Sequence, residues 1–265
     1  MKTCALLLAG GEETRFGPIK EFLGSKTVQR INDKDEIIVE TLQRCKARIN
    51  IADIYIITNE KQHEIYNGVL NYTDRSASNY FEKDNYIIEP YPKGTAPCIL
   101  YAAFLLKQIY HDQDTVMCVF PCDHDIDNDD ENMSKFRKAL DTAILAAESG
   151  KLVTISINPT FAATAYGYIG IKQKMVNMPY FLAGKFKEKP KTGQAENFIK
   201  SGFFWNSGMF FWKIDSILES FKRYSPVLYT EFSEIYQNRH IDPITFKHRL
   251  SVVYENISEK IFVDT

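Results

Sequence analysis

Arg15, Lys20 and Asp123 are the residues whose type and spacing best suit phosphate chemistry. Leu6-Leu7-Leu8-Ala9-Gly10-Gly11 runs into Thr14-Arg15 and then Pro18-Ile19-Lys20, so an apolar strand, a paired-glycine turn, an arginine and a lysine follow in that order. A strand ending in Gly-Gly can bring bare backbone N–H groups against an anion, because no Cβ stands in the way and glycine tolerates the positive φ of a tight turn. Arg15 and Lys20 add fixed positive charge beside those groups, and the guest they fit is a polyphosphate. A dinucleotide turn needs G-x-G-x-x-G and a Walker loop needs G-x-x-x-x-G-K-[ST]. Neither is present, since Gly11 and Gly17 have five residues between them and Gly24 is followed by Ser25 before Lys26.

Val116-Met117-Cys118-Val119-Phe120 leads into Pro121-Cys122-Asp123-His124-Asp125. A carboxylate just past a buried strand suits Mg²⁺, which binds through one or two carboxylates together with substrate phosphates. Asp123 is that carboxylate. A calcium loop is excluded, because Asn128 stands where that loop needs Gly and Ser134 where it needs Glu; the acidic run 125–130 reads as a solvated loop. Glu89-Pro90-Tyr91-Pro92-Lys93-Gly94-Thr95-Ala96-Pro97 is a Pro-rich turn into an apolar helix, with Thr95 as the expected N-cap and Pro97 in the first turn. Exposed N–H and hydroxyl groups there could face a base or ribose; a plain helix start is the alternative. Later, Phe186-Lys187-Glu188-Lys189-Pro190 and Trp205-Asn206-Ser207-Gly208-Met209 supply a carboxylate, an amine and a carboxamide, a set that suits a sugar phosphate.

Elements must carry these groups. Strands are expected at 3–9, 53–58, 85–89, 115–120 and 152–157. Ile38, Leu42, Cys45 and Ile49 share one helical face, and Phe136, Leu140, Ile144 and Ala147 repeat the pattern. Apolar strands linked by amphipathic helices predict a parallel sheet covered on both faces, with ligands beyond the carboxyl ends of the strands. After residue 157 the rhythm changes to strands 166–171, 181–187 and 203–212 and a helical tail with Ile214, Ile217, Leu218 and Phe221. No Pro/Gly/Ser-rich linker intervenes, so the expectation is one α/β domain over 1–265. Residues 1–157 would form its nucleotide part, and 158–265 its sugar-phosphate part and helical tail.

The 265 residues are enough to bury a substantial core without a disulfide scaffold. With 32 basic and 34 acidic residues the net charge is −2, which argues against a general electrostatic grip on nucleic acid or an anionic membrane. The five cysteines form no C-x-x-C pair and fit a reducing cytosol. The apolar start is short and flows straight into the glycine turn, so it reads as the first strand rather than a signal peptide.

Taken together, LLLAGGEETRFGP with Lys20 and Phe22, EPYPKGTAP, FPCDHDI, TAYGYIGI, FKEKP and FFWNSGMFFW resemble the sugar-1-phosphate nucleotidyltransferase family, most closely its mannose-1-phosphate guanylyltransferase branch. The resemblance implies a Rossmann-like nucleotide-diphospho-sugar transferase fold with a parallel-rich mixed sheet. It also implies Mg²⁺-dependent transfer of a nucleotidyl group, from GTP or another NTP, to mannose 1-phosphate or a related sugar 1-phosphate. On that likeness Arg15 holds the β- and γ-phosphates, Lys20 bridges the α-phosphate and Asp123 carries the metal. Leu8, Ala9, Gly10, Gly11, Glu89, Thr95, Ala96 and Pro97 surround the nucleotide, while Gly167, Tyr168, Glu188, Lys189 and Asn206 line the sugar-phosphate site. The chain departs from the family pattern in three places: Glu13 replaces a turn glycine, the step from Arg15 to Lys20 is short, and the chain stops at Thr265. The late acidic ligand is matched loosely by Glu255 or Glu259. These departures keep open a non-catalytic paralogue that binds a nucleotide sugar and regulates a partner, and a homo-oligomer is compatible with either reading.

Overall fold

Alternation along the first strand decides which side each helix covers. The structure, a computed structural model, describes residues 1–10, 36–73, 85–111, 114–127, 129–238 and 242–264. In β1 (Lys2–Leu8) Cys4 and Leu6 face one core while Ala5 and Leu7 face another, as the two-residue period of a strand requires. The first core is covered by α3 (Thr95–Tyr110), α6 (Ile214–Tyr224), α7 (Pro226–Gln237) and α8 (Pro243–Asn256). The second is covered by α1 (Ile37–Lys46), α2 (Glu60–Thr73) and α4 (Asp130–Glu148). Ile38, Leu42, Cys45 and Ile49 are all buried, although Ile49 lies beyond the end of α1. Leu140, Ile144 and Ala147 hold α4 down in the same way. Among the described residues no helix is long and apolar enough to cross a membrane.

The remaining strands are β2 (Ile54–Thr58), β3 (Tyr86–Ile88), β4 (Thr115–Pro121), β5 (Val153–Ile157), β6 (Tyr168–Lys174), β7 (Phe181–Lys187) and β8 (Phe204–Lys213), and α5 (Thr192–Lys200) precedes β8. They form one eight-stranded sheet in the order β3-β2-β1-β4-β8-β6-β7, with β5 attached to β8 off that path. β1 to β4 are mutually parallel where they pair, and every pairing of β8 is antiparallel. The fold is thus the expected mixed sheet with helices on both faces.

One expectation needs correction. The run 152–157 reads in the sequence as another member of the parallel set, but β5 lies antiparallel against β8. Beside β4 stands β8 instead, whose Met209, Phe210, Phe211 and Trp212 are all buried. β5 carries Thr154 and Ser156 and is only partly buried, which suits a strand paired along one edge.

Candidate active site

The strand ends lie level beside Gly10. In register Leu8 lies opposite both Ile57 and Pro121, and Thr58 opposite Ile88, so the carboxyl ends of β1 to β4 are level with one another. Beyond them, the Ala9 N–H donates to the Ile57 carbonyl at 3.0 Å, and the Ala9 carbonyl accepts from Tyr66 Oη at 2.8 Å and Thr58 Oγ1 at 3.2 Å. Gly10 lies close over Glu89: a Cβ there would come to 2.6 Å from Glu89 Oε1 unless that side chain shifted. Gly11, Glu13, Arg15 and Lys20 lie outside the described residues.

Glu89 is held under Gly10 by its N–H, which donates to the Thr58 carbonyl at 2.8 Å. The residue is 3% exposed, and among the described residues Oε2 has no hydrogen-bond partner. Burial pushes its pKa up to about 8, opposed by the nearby Tyr254 hydroxyl, although the two side chains make no hydrogen bond of standard geometry. A buried carboxyl with an unpaired oxygen is costly unless something else meets it.

A second feature is a gap in the edge of β8. Phe210 and Phe211 pair with both β4 and β5, and Trp205 pairs with both β5 and β6. A strand has only two edges, so β4 and β6 must share one edge of β8, with Ser207 and Gly208 between the two pairings. Gly208 has φ 72° there, and two residues of β5 span four of β8, a bulge that bends the strand and re-aims its side chains. One rim of the gap is Pro121, whose Cγ lies 3.6 Å from where a Gly208 Cβ would be, and Asp123 follows it by two residues. The other rim is Gly167, whose carbonyl accepts from the Asn206 N–H at 2.8 Å.

Asn206 is the junction of this gap. Its Oδ1 accepts from Thr154 Oγ1 at 2.9 Å and from the Gly208 N–H at 3.3 Å, and its Nδ2 donates to Asp264 Oδ2 at 2.7 Å. Glu188 and Lys189 form an ion pair at 2.8 Å beside it, and a Cβ on Gly167 would approach Glu188 Oε2 to 2.8 Å. Lys189 has φ 39°, a strained value for a lysine, and its ammonium lies 5.8 Å from the Phe262 ring centroid. Burial, and then the charge of Glu188, push the Asp264 pKa up.

Three sequence-based expectations change here. Tyr168 is fully buried against Phe198 and donates its hydroxyl to the Ala163 carbonyl at 2.9 Å, so its side chain faces the core and not the gap. The N-cap of α3 is Gly94, at φ 96°, and the Thr95 hydroxyl instead accepts from the Val263 N–H at 3.0 Å. Ala96 and Pro97 are buried, and the Ala96 N–H donates to the Ile261 carbonyl. Glu255 accepts from Tyr91 Oη at 3.0 Å, Glu259 is exposed, and the late carboxylate that reaches Asn206 is Asp264.

Asp123 is 41% exposed at its side chain, with His124 Nε2 at 3.9 Å. Its loop is fixed by backbone. The Cys122 N–H donates to the Leu8 carbonyl at 3.3 Å, and the buried Arg44 donates to the His124 carbonyl at 3.1 Å and to Thr41 at 2.8 Å. No group of three or more metal-ligating side chains occurs among the described residues. Mg²⁺ needs only one or two carboxylates when phosphates complete its shell; Asp123 follows Pro121 on one rim of the gap by two residues, and Asp264 is bonded to Asn206 at the other. Burial and the charge of Glu188 oppose the charged form of Asp264, and a divalent cation would favour it. The donor set therefore fits such a metal. A cavity of about 620 Å³ lies among α4, β5, β6 and β7 and shares only Thr154 with the residues of this site.

Level strand ends beside Gly10, with a carboxylate past β4, define a nucleotide-diphospho-sugar transferase fold. Residues 4–247 match the family described as nucleotidyl transferase, and the chain belongs to that family. It is 33% identical over 230 residues to a mannose-1-phosphate guanylyltransferase of Salmonella typhimurium, covering 86% of this chain and 46% of that protein. A mannose-1-phosphate guanylyltransferase of Escherichia coli is 29% identical over 241 residues, covering 89% and 50%. The chain thus spans about half the length of these curated relatives. In fold, it is similar to the crystal structure of a mannose-1-phosphate geranyltransferase from Thermus thermophilus, with TM-score 0.80, 23% identity, and coverage of 100% of this chain and 70% of that one. A UDP-glucose pyrophosphorylase complexed with UDP-glucose gives TM-score 0.53 at 18% identity, covering 83% and 80%.

Proposed function

We propose that this chain transfers a nucleotidyl group from GTP to mannose 1-phosphate, or between a closely related NTP and sugar 1-phosphate, releasing pyrophosphate. The observation that carries this reading is the gap in the β8 edge beside the level strand ends, with Pro121 two residues before Asp123 on one rim and Asn206, bonded to Asp264, at the other. An oxygen of the sugar phosphate attacks the α-phosphorus; the bond from that phosphorus to the bridging oxygen breaks, and pyrophosphate leaves with the electron pair. No protein nucleophile is required, so catalysis is positioning and charge stabilisation. Arg15 and Lys20 supply cations to the triphosphate. Asp123 and Asp264 would hold Mg²⁺, which when bound neutralises charge on the reacting phosphates. GTP is favoured because guanine presents adjacent N1–H and N2–H donors, and Glu89 offers a carboxyl with an unpaired oxygen. The one Asn206 amide hydrogen left after the Asp264 bond is available to a sugar hydroxyl.

Pyrophosphate release from a panel of NTPs and sugar 1-phosphates tests the reading directly. GTP with mannose 1-phosphate is expected to give the highest kcat/KM, and no release from any pair would leave a nucleotide-sugar-binding paralogue as the better account. In the active pair, Asn206→Ala is expected to raise KM for the sugar phosphate about tenfold, as a lost hydrogen bond to a polar substrate would, with KM for GTP little changed. Equal weakening towards both substrates would contradict the division of the site.

A further inference from the structure

The 257–264 segment runs from the end of α8 to the sugar side of the gap, and the turn before α3 grips it along the way. Lys93 Nζ donates to the Ile257 carbonyl at 2.7 Å. The Ile261 N–H donates to the Lys93 carbonyl at 3.0 Å, and the Ile261 carbonyl accepts from the Ala96 N–H at 3.0 Å. Thr95 Oγ1 accepts from the Val263 N–H, also at 3.0 Å. Gly94 allows this approach, since at φ 96° a Cβ would run into the Ile261 carbonyl oxygen. Immediately after these attachments, Phe262 lies against Lys189 and Asp264 against Asn206.

We propose that the 93–96 turn, placed by sequence on the nucleoside side, is a positioning element for the sugar-phosphate side: it clasps the 257–264 segment so that Asp264 meets Asn206. The proposal rests on the nucleotidyl-transfer reading for its kinetic consequence and on geometry alone for the clasp. Both polar backbone groups of Ile261 are engaged by the turn, so the segment has little freedom to slide. Asp264 is three residues further on, and extended chain advances about 3.3 Å per residue. Loss of the Lys93 bond would therefore be felt at Asn206 and the sugar phosphate before it is felt at the triphosphate. Lys93 is the positioning residue to test, because its ammonium is engaged by the Ile257 carbonyl at the start of the segment.

Lys93→Met keeps the apolar stem and removes the donor, whereas Lys93→Arg keeps a donor. In Lys93→Met, KM for mannose 1-phosphate is expected to rise about tenfold with KM for GTP within about twofold, and Lys93→Arg should recover most of the loss. A parallel rise in both KM values, or no rescue by arginine, would overturn the positioning role. Amide exchange at Ile261 and Val263 needs no substrate and reads the clasp itself: both should be protected in wild type and exchange at least about tenfold faster in Lys93→Met. Unchanged protection overturns the part of the Lys93 ammonium in the clasp, whatever the activity. If wild type transfers nothing but protection is lost in Lys93→Met, the reaction reading fails and the clasp stands as structure without the kinetic role.

Discussion

Asp123→Asn is expected to lower kcat by about a thousandfold, equivalent to ~4 kcal/mol of barrier, with a melting temperature close to that of wild type. The fold should be insensitive because the loop is fixed by main chain: the Cys122 N–H on Leu8 and the His124 carbonyl under Arg44 do not involve the Asp123 carboxyl. Its side chain is 41% exposed, so asparagine fills the same space without a desolvation change of consequence. What changes is charge at the rim of the gap. Neutral asparagine binds Mg²⁺ far more weakly than a carboxylate does, and the transferring phosphates would then keep their repulsion. Turnover across a Mg²⁺ titration, alongside thermal unfolding, reads both effects. Retention of more than about a tenth of wild-type kcat at saturating Mg²⁺, a loss of at most ~1.4 kcal/mol, would place Asp123 outside the reaction.

The strand content was legible because it depends on local pattern. Ile38, Leu42 and Cys45 repeat at helical spacing and are buried on α1, and the apolar 115–120 block became β4 with Asp123 beyond its end. What failed depended on crossings that the chain makes far apart in sequence. Tyr168 sits in a motif, yet its ring fills a core built by α5 and Trp205, partners that only the β6–β8 pairing brings near. Thr95 is a good capping residue by type. It lost that place to Gly94 because the 257–264 segment packs too closely for a Cβ and takes up the threonine hydroxyl. Asp264 gave little local signal, standing after Ile261-Phe262-Val263 rather than at a strand-end turn, and the nearby Glu255 and Glu259 were more conspicuous. The placement of β5 turned on competition for the edge of β4, which β8 occupies with a more apolar run.

Glu89→Gln is expected to flatten the pH dependence of stability and to unfold at a higher temperature than wild type at pH 8. The carboxyl is buried beside Gly10, its pKa raised to about 8 against an ordinary 4.5. A folded-state pKa above the unfolded one means that the unfolded chain releases its proton first. Any stability the group confers is therefore complete below about pH 4.5 and is lost progressively as pH rises towards about 8. The full difference is about 5 kcal/mol at ~1.4 kcal/mol per pH unit, large against the roughly 5–15 kcal/mol of a typical domain. The groups that face Glu89 do not titrate in that window. Burial holds Tyr254 on α8 and Cys98 on α3 well above their ordinary values, and Tyr101 at about 12. Glutamine keeps the shape, carries no charge at any of these pH values, and so should remove the slope while leaving stability near pH 5 close to wild type. Urea unfolding at intervals from pH 5 to pH 8 makes the comparison, and parallel slopes for the two proteins would show that the group titrating in this range is not Glu89. Because GTP bound with its N–H donors against Glu89 would favour the carboxylate, binding to wild type above pH 6 should also release protons. Calorimetry in two buffers of different ionisation enthalpy should detect that release in wild type and none in Glu89→Gln.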